Sequence, residues 1–295
     1  MSQACPYCLP ESNSSETREV LSLVICKGSF FRKSDQTLQK RFFCKSCEKY
    51  FSSATLSPCF RQKKRQLNPD VFRYLVSGVS QRRLAMLLKT NRKTIVRKFL
   101  FLGSWSQHYL EEHRKESPIV MEMQFDDLET FEHSKLKPLS VIMAVESGTR
   151  RILGFKVARM PAKGLLVQRS LKKYGKRKDE RKIKRQELFT ELRPFIDRLA
   201  IIKSDESPHY PSCVRTFFPH SLHKTYKGRR GCVVGQGELK AGGFDPIFSL
   251  NHSFAMLRAS INRLFRRTWN TTKKPERLSA HISMYALYHN LYLID

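Results

Sequence analysis

The residues of this chain whose types and spacing could do chemistry are a few aspartates and two cysteine pairs. The stretch LAIIKSDESPHYP, residues 199–211, is an apolar run that stops at Asp205, and IVMEMQFDD, residues 119–127, runs up to Asp126 with Asp127 beside it. An acid at the end of a strand is either a cap or a ligand held at the rim of a sheet. Two such carboxylates brought together bind hard divalent cations through oxygen, and a pair of magnesium ions can serve an in-line displacement at phosphorus. Taken alone, each aspartate reads as a cap. CPYC (Cys5, Cys8) and CKSC (Cys44, Cys47) are two Cys-x-x-Cys knuckles, and four thiolates at tetrahedral corners suit zinc. The alternative is four unliganded buried thiols. Cys26 and Cys59 lack an x-x-Cys companion and read as small core residues, one of which could replace a knuckle cysteine.

The elements that position these groups follow from length, charge and periodicity. A chain of 295 residues suggests about two domains. Lysine and arginine total 55 against 26 acids, a net charge of +29, which points to a polyanionic partner and foremost nucleic acid. No apolar stretch reaches the length of a spanning helix and Met1 to Pro10 lacks the core of a signal peptide. A soluble intracellular protein with reduced or metal-bound cysteines is expected. Six of the eight cysteines fall in the first sixty residues and mark a small module over 1–60. The 35 residues between Cys8 and Cys44 exceed the usual ribbon spacing, so the segment with serines at 12–15 and then EVLSLVICKGSFFRKS is read as an added hairpin. The aromatics of RFFCKSCEKYFS would pack a core that metal must otherwise hold together.

After RQKKR at 61–65, Asn68 and Pro69 open a helix as N-cap and first helical residue, with Val71, Tyr74 and Leu75 recurring. Leu84, Leu87 and Leu88, a break near Thr90–Asn91, and Ile95, Val96, Phe99 and Leu100 follow. Residues 66–105 read as a helix-turn-helix capped by Ser80 and Asn91. Arg92, Lys93 and Thr94, with Arg97 a turn later, would lead the helix that meets the major groove. A solvated helical bundle with a basic surface is the plainer reading.

From residue 119 the period becomes that of strands. IVMEMQFDD, PLSVIMAVES and RRILGFKVA make a meander. KKYGKRKDERKIKR, 172–185, carries nine bases and two acids. It is expected in a loop or extended helix, where Lys172, Lys173, Lys176, Arg177 and Lys178 would contact DNA backbone, unless it is only a solvated charged face. QELFTELRPFIDRL has helical spacing at Leu188, Leu192, Phe195, Ile196 and Leu199, and LAIIKSD is a fourth strand. Past a glycine-rich loop, a helix is read through SLNHSFAMLRASINRLFRRTWN with Leu250, Phe254, Leu257, Ile261, Leu264 and Phe265 inward, and a last helix after Pro275. This order resembles an α/β RNase H-like fold, a mixed sheet flanked by helices, over 117–295. In that fold the first and fourth strands are neighbours, so Asp126 and Asp205, 79 residues apart, can meet at one rim.

The chain resembles the bacterial insertion-sequence transposases of the DDE type, which join an N-terminal zinc ribbon and helix-turn-helix to an RNase H-like catalytic domain. The resemblance rests on CPYC, FFCKSCEKYFS, FDDLETFEHSKLKPLSVIMAVESGTRRILGF, IKSDESPHY and LNHSFAMLRASINRLFRRTW. It implies magnesium-dependent cleavage and strand transfer of DNA, with terminal inverted repeats and target DNA as partners; the alternatives are a catalytically inactive or domesticated DNA-binding protein and a metal-dependent nuclease without strand transfer. It further implies a homo-oligomer in the synaptic complex and a cytoplasmic, nucleoid-associated location. Asp126 matches the first catalytic aspartate and Asp205 the second. At the third position Asn251 stands where the family has glutamate, a neutral oxygen ligand, with His252, Glu238 or Asp245 as alternatives and a helix N-cap as the plain reading.

Overall fold

The computed structural model describes residues 4–8, 23–33, 35–227, 245–265 and 269–294. It divides into two compact units, Met1–Pro69 and Asp70–Asp295. The serines at 12–15 and Glu238 lie outside the described residues.

The first unit is an antiparallel sheet of β1 (Val24–Arg32), β2 (Thr37–Cys44) and β3 (Tyr50–Ser52) in that order. β1 and β2 are the hairpin expected between the knuckles, paired from Val24↔Cys44 to Arg32↔Thr37 around an irregularity between Cys26 and Ser29. Its core is small: Phe42 and Phe51, stacked at 5.3 Å, pack with Cys5 and Cys44. Cys26 is not the core residue expected. It is exposed beside the irregularity, its thiol on the Gly28 carbonyl at 3.7 Å. Cys59 is half-buried and accepts from Asn68 Nδ2 at 3.5 Å.

Three helices follow: α1 (Asn68–Val76), α2 (Gln81–Leu87) and α3 (Arg92–Glu116). Asn68 does not cap α1, because a 3-10 turn over Arg65–Leu67 runs straight into it. Ser80 Oγ and Asn91 Oδ1 do cap α2 and α3, accepting from the amides of Arg83 (3.3 Å) and Lys93 (2.8 Å). Val71, Leu75, Leu84, Ile95 and Phe99 are buried, whereas Tyr74, Leu87 and Leu100 are exposed.

The remaining elements are β4 (Val120–Phe131), β5 (Pro138–Glu146), β6 (Ile152–Arg159), α4 (Val167–Tyr174), α5 (Arg181–Leu192), β7 (Ile196–Asp205), α6 (Tyr210–Phe217), β8 (Leu222–Tyr226), α7 (Phe248–Ser260) and α8 (Pro275–Tyr292). The mixed sheet has the order β6-β5-β4-β7-β8, antiparallel from β6 to β4 and parallel from β4 through β7 to β8. The first and fourth strands are thus neighbours. Leu188, Phe189 and Leu192 of α5 and Val214 of α6 pack with Met123, Phe125 and Ile202.

Several boundaries differ from the periodicity. β4 continues past Asp126 to Phe131, because β5 pairs with it along its whole second half. α5 starts inside the basic run and stops before Pro194, leaving Ile196 and Leu199 to β7. α7 ends at Ser260 where Ile261 turns extended, and Phe265 is exposed although Ile261 and Leu264 are buried. α4, α6 and β8, too short to show a period, were not foreseen. Among the described residues no helix is long and apolar enough to cross a membrane.

α3 packs against α8 at closest approach through Gly103, where an added Cβ would stand 2.6 Å from Ala280 Cβ and 3.0 Å from its Cα. Beside this crossing His281 is fully buried, with Nε2 on the Leu75 carbonyl at 2.8 Å and its ring edge-on to Phe99. Gly103→Ala should lower stability by about 1–3 kcal/mol through overpacking despite alanine's better helix propensity. Thermal unfolding measures this, and an unchanged or higher melting temperature would refute the tight crossing.

Candidate active site and metal centre

The two knuckles bring the Sγ atoms of Cys5, Cys8, Cys44 and Cys47 within 4.8 Å of one another. Cys5–Cys47 and Cys8–Cys44 stand 3.6 and 3.7 Å apart. Sulfurs about 2.3 Å from a central ion at tetrahedral corners would be roughly 3.8 Å apart, so the set fits a closed four-sulfur site. The knuckle backbone also favours thiolate. The Tyr7 amide donates to Cys5 Sγ at 3.4 Å, and the amides of Cys47 and Ser46 draw the Cys44 thiol down to about 7. The Cys8 thiol is pushed up to about 12, chiefly by its hydrogen bond with Cys47 and then by burial.

In the second unit, Met123 lies opposite Ile202 and Gln124 opposite Lys203 in the parallel pairing of β4 with β7. Two residues further along each strand stand Asp126 and Asp205, at the level where β7 ends and β4 continues with β5 alone. Both line a cavity of about 830 Å³, together with Asp127, Tyr210 and Arg258. Burial, and then the charge of Asp205, push the Asp126 carboxyl up to about 7, against the Tyr210 hydroxyl, which donates to its Oδ1 at 2.9 Å. Asp205 Oδ1 accepts from the Ser207 amide at 3.0 Å, so this residue does cap its turn while facing the cavity. Among the described residues neither aspartate pairs with a base. The other acids around the cavity do: Glu129 with Lys163, Asp179 with Arg181 at 2.6 Å, and Asp127 with Arg185 at 3.1 Å. Asp127 projects from the opposite face of β4 toward α5. Burial raises its carboxyl and Arg185 opposes that rise.

No protein family matches the sequence, and no curated protein is similar to it. Among solved structures the chain is similar to the Mos1 strand transfer complex, at 8% identity over 76% of this chain and 74% of that one, TM-score 0.29. It is also similar to the catalytic domain of Mos1 mariner transposase, at 11% identity over 64% of this chain and 94% of that one, TM-score 0.25. A likeness at this level fixes neither fold nor chemistry.

Asn251 stands near the start of α7 with a polar partner of its own. It is the fourth residue of α7, its Nδ2 donates to Asp245 Oδ2 at 3.0 Å, and it does not line the cavity. Asp245 accepts the Ile247 amide at 3.0 Å, and the His252 ring lies beside Phe248. Arg258, two turns beyond Asn251, is the α7 residue at the cavity.

Of the basic candidates, Arg92, Lys93 and Arg97 are exposed and Thr94 is half-buried at the start of α3. Lys172, Lys173, Lys176 and Lys178 are exposed around the end of α4. Arg177 differs from them. Its guanidinium donates to the Met160 and Pro138 carbonyls at 3.2 and 3.3 Å and lies 3.6 Å from Glu132. Arg185, Tyr210 and Arg258 escaped the sequence reading. Arg185 had a signal, since it sits at the head of the apolar stripe Leu188, Phe189, Leu192, where a base needs a buried acid.

Replacing Cys44 and Cys47 by serine should remove bound metal from the purified protein, because two sulfurs cannot close the site. Elemental analysis decides it, and an unchanged metal content would defeat the assignment. For Asp126, a folded value near 7 stands above the ordinary 3.8. Its contribution to stability is therefore full below the unfolded value and lost as pH rises through the folded one. In magnesium-free buffer at about pH 8, Asp126→Asn should stabilise the fold by on the order of a few kcal/mol, and at about pH 4 it should change little. Equal effects at both pH values would contradict the burial argument.

Proposed function

We propose that the chain is a DNA transposase of the DDE type, with an N-terminal zinc ribbon, a helix-turn-helix over α2 and α3, and an RNase H-like catalytic unit. The observation that carries this reading is the pair Asp126 and Asp205, level on adjacent parallel strands, facing one cavity and paired with no base among the described residues. Unpaired carboxylates at the same level of a sheet suit a hard divalent cation. Asp126 and Asp205 would hold magnesium, with water and DNA phosphate supplying further oxygens, and Cys5, Cys8, Cys44 and Cys47 would hold zinc. Magnesium would supply charge stabilisation for nucleophile and leaving oxygen in phosphodiester hydrolysis and in attack by the freed 3′ hydroxyl on target DNA. The chain's own part is orientation: the Tyr210 hydroxyl and the Ser207 amide each fix one carboxylate oxygen. Basic side chains would position the DNA, with Arg92, Lys93, Thr94 and Arg97 at the groove and Lys172, Lys173, Lys176 and Lys178 at the backbone. Arg177 is better suited to holding the segment in place, given its bonds to two carbonyls.

A second reading, a DNA-binding protein that keeps the fold without cutting, draws on one observation: Asn251 donates to Asp245 and does not line the cavity of the aspartates. A strand-cleavage and strand-transfer assay on a labelled element end separates the two. Asp126→Asn and Asp205→Asn should each reduce cleavage to background while end binding persists. Full activity in either variant would end the proposal. Neutralising Lys172, Lys173, Lys176 and Lys178 to glutamine should weaken binding to all sequences and flatten the salt dependence by roughly 0.9 for each phosphate no longer neutralised. Arg177→Gln should instead lower the melting temperature. An unchanged salt slope in the fourfold variant would leave those lysines as a solvated face.

A further inference from the structure

The three-stranded sheet of the first unit has two faces of unlike chemistry. Phe42 and Phe51 occupy the side of Cys5 and Cys44 and use up the small core there. The register sets Ile25 opposite Phe43 and Phe43 opposite Tyr50, which places these three on the other side, and strand alternation adds Arg41. The Phe43 and Tyr50 rings lie 4.8 Å apart, the Arg41 guanidinium lies 5.4 Å over the Phe30 ring, and Tyr50 is 60% exposed. Two further exposed rings of this unit are also covered by cations, Tyr7 by Lys49 at 5.1 Å and Phe60 by Arg61 at 5.3 Å.

Charge narrows the choice of occupant. Residues 23–65 contain 11 lysines and arginines but only two acids, Asp35 and Glu48, and Asp35 is held by Arg32. A module this basic repels a basic chain and attracts a polyanion. At the centre of the sheet's outer face stand two aromatic rings, which read no donor and acceptor pattern in a duplex groove. Every unpaired base has a π-face to stack on such rings, and a duplex hides those faces between its own pairs.

We infer that this outer face of the β1-β2-β3 sheet binds single-stranded nucleic acid, stacking unpaired bases on Tyr50 and Phe43 while Arg41 and the surrounding lysines meet the phosphates. The site goes beyond the transposase reading and stands without it, although a protein that opens DNA ends would have a use for it.

The test uses the full-length metal-loaded protein, a labelled oligothymidine longer than about 16 nucleotides, and a duplex of equal length. Tyr50→Ala, at an exposed position and with bound metal as the check on folding, should weaken single-strand binding about tenfold, the loss of one stacked base. Duplex binding should change by less than about twofold, since the phosphate-binding cations are kept. Tyr50→Trp should retain single-strand affinity. Arg41→Gln should reduce the salt slope on the single strand by roughly 0.7. Equal losses on both nucleic acids, or no loss in Tyr50→Ala, would overturn the inference. The comparison of single strand with duplex reads the platform alone and strand cleavage reads the catalytic site alone, so an absent platform and a dead catalytic site give different results.

Discussion

Because β4 and β7 pair in parallel with Gln124 opposite Lys203, two aspartates 79 residues apart arrive at one level of one sheet. A slip of one residue in either strand would turn one carboxylate to the other face. The register is held from both sides. Lys203 is ion-paired to Glu122 across the two strands at 2.5 Å, and Phe125, one residue before Asp126, is clamped between Phe189 at 5.0 Å and Tyr210 at 4.8 Å. Burial first, and then the charge of Asp205, raise the Asp126 carboxyl, so the packing that brings the two acids together disfavours their ionised forms.

The same packing divides the basic run between structure and surface. Arg185 is almost fully buried, bonded to Asp127 and stacked 4.4 Å over the Tyr210 ring, whose hydroxyl reaches Asp126. A chain of contacts thus leads from α5 through the α6 start to the candidate catalytic carboxylate. Breaking a buried pair by removing one partner leaves an uncompensated charge and is costly, so Arg185 and Asp127, at the wall of the same cavity, constrain the site through their pairing. The exposed lysines at 172–178 are under no such constraint.

The cysteine knuckles, the two helix caps of the helical region and the meander were legible because each is a local or periodic signal, whereas the adjacency of the first strand to the fourth came only from the fold that the order of elements resembles. The paired Cys-x-x-Cys spacing needs no tertiary information, and Ser80 and Asn91 stand directly before apolar repeats. What was not legible depends on packing. Asn68 lost its cap role to a preceding 3-10 turn, and Leu199 keeps helical spacing with α5 yet lies exposed on β7 because Pro194 ends the helix. Tyr210 gave no signal, since its value lies in a hydroxyl meeting a carboxylate 84 residues away.

The third position of the site depends on packing in the same way, and the sheet sets its constraint. Gln124 fixes the start of α7: its Oε1 accepts the Leu250 amide at 3.1 Å and its Nε2 donates to the Ser147 hydroxyl at 2.8 Å and the Pro246 carbonyl at 3.4 Å. Asn251 is therefore tied to the level of Gln124, two strand residues short of Asp126. That offset is about 6.6 Å along a strand, which a helix needs roughly four residues to cover. Further along α7 toward the cavity stand Ala255 and Arg258, neither of them an acid. Under the transposase reading, only two carboxylates then offset the charge of the ions, and DNA phosphate must supply the remaining negative charge. Arg258 at the same cavity suits a phosphate and disfavours bare metal, so such a site would hold its ions firmly only once nucleic acid is in place.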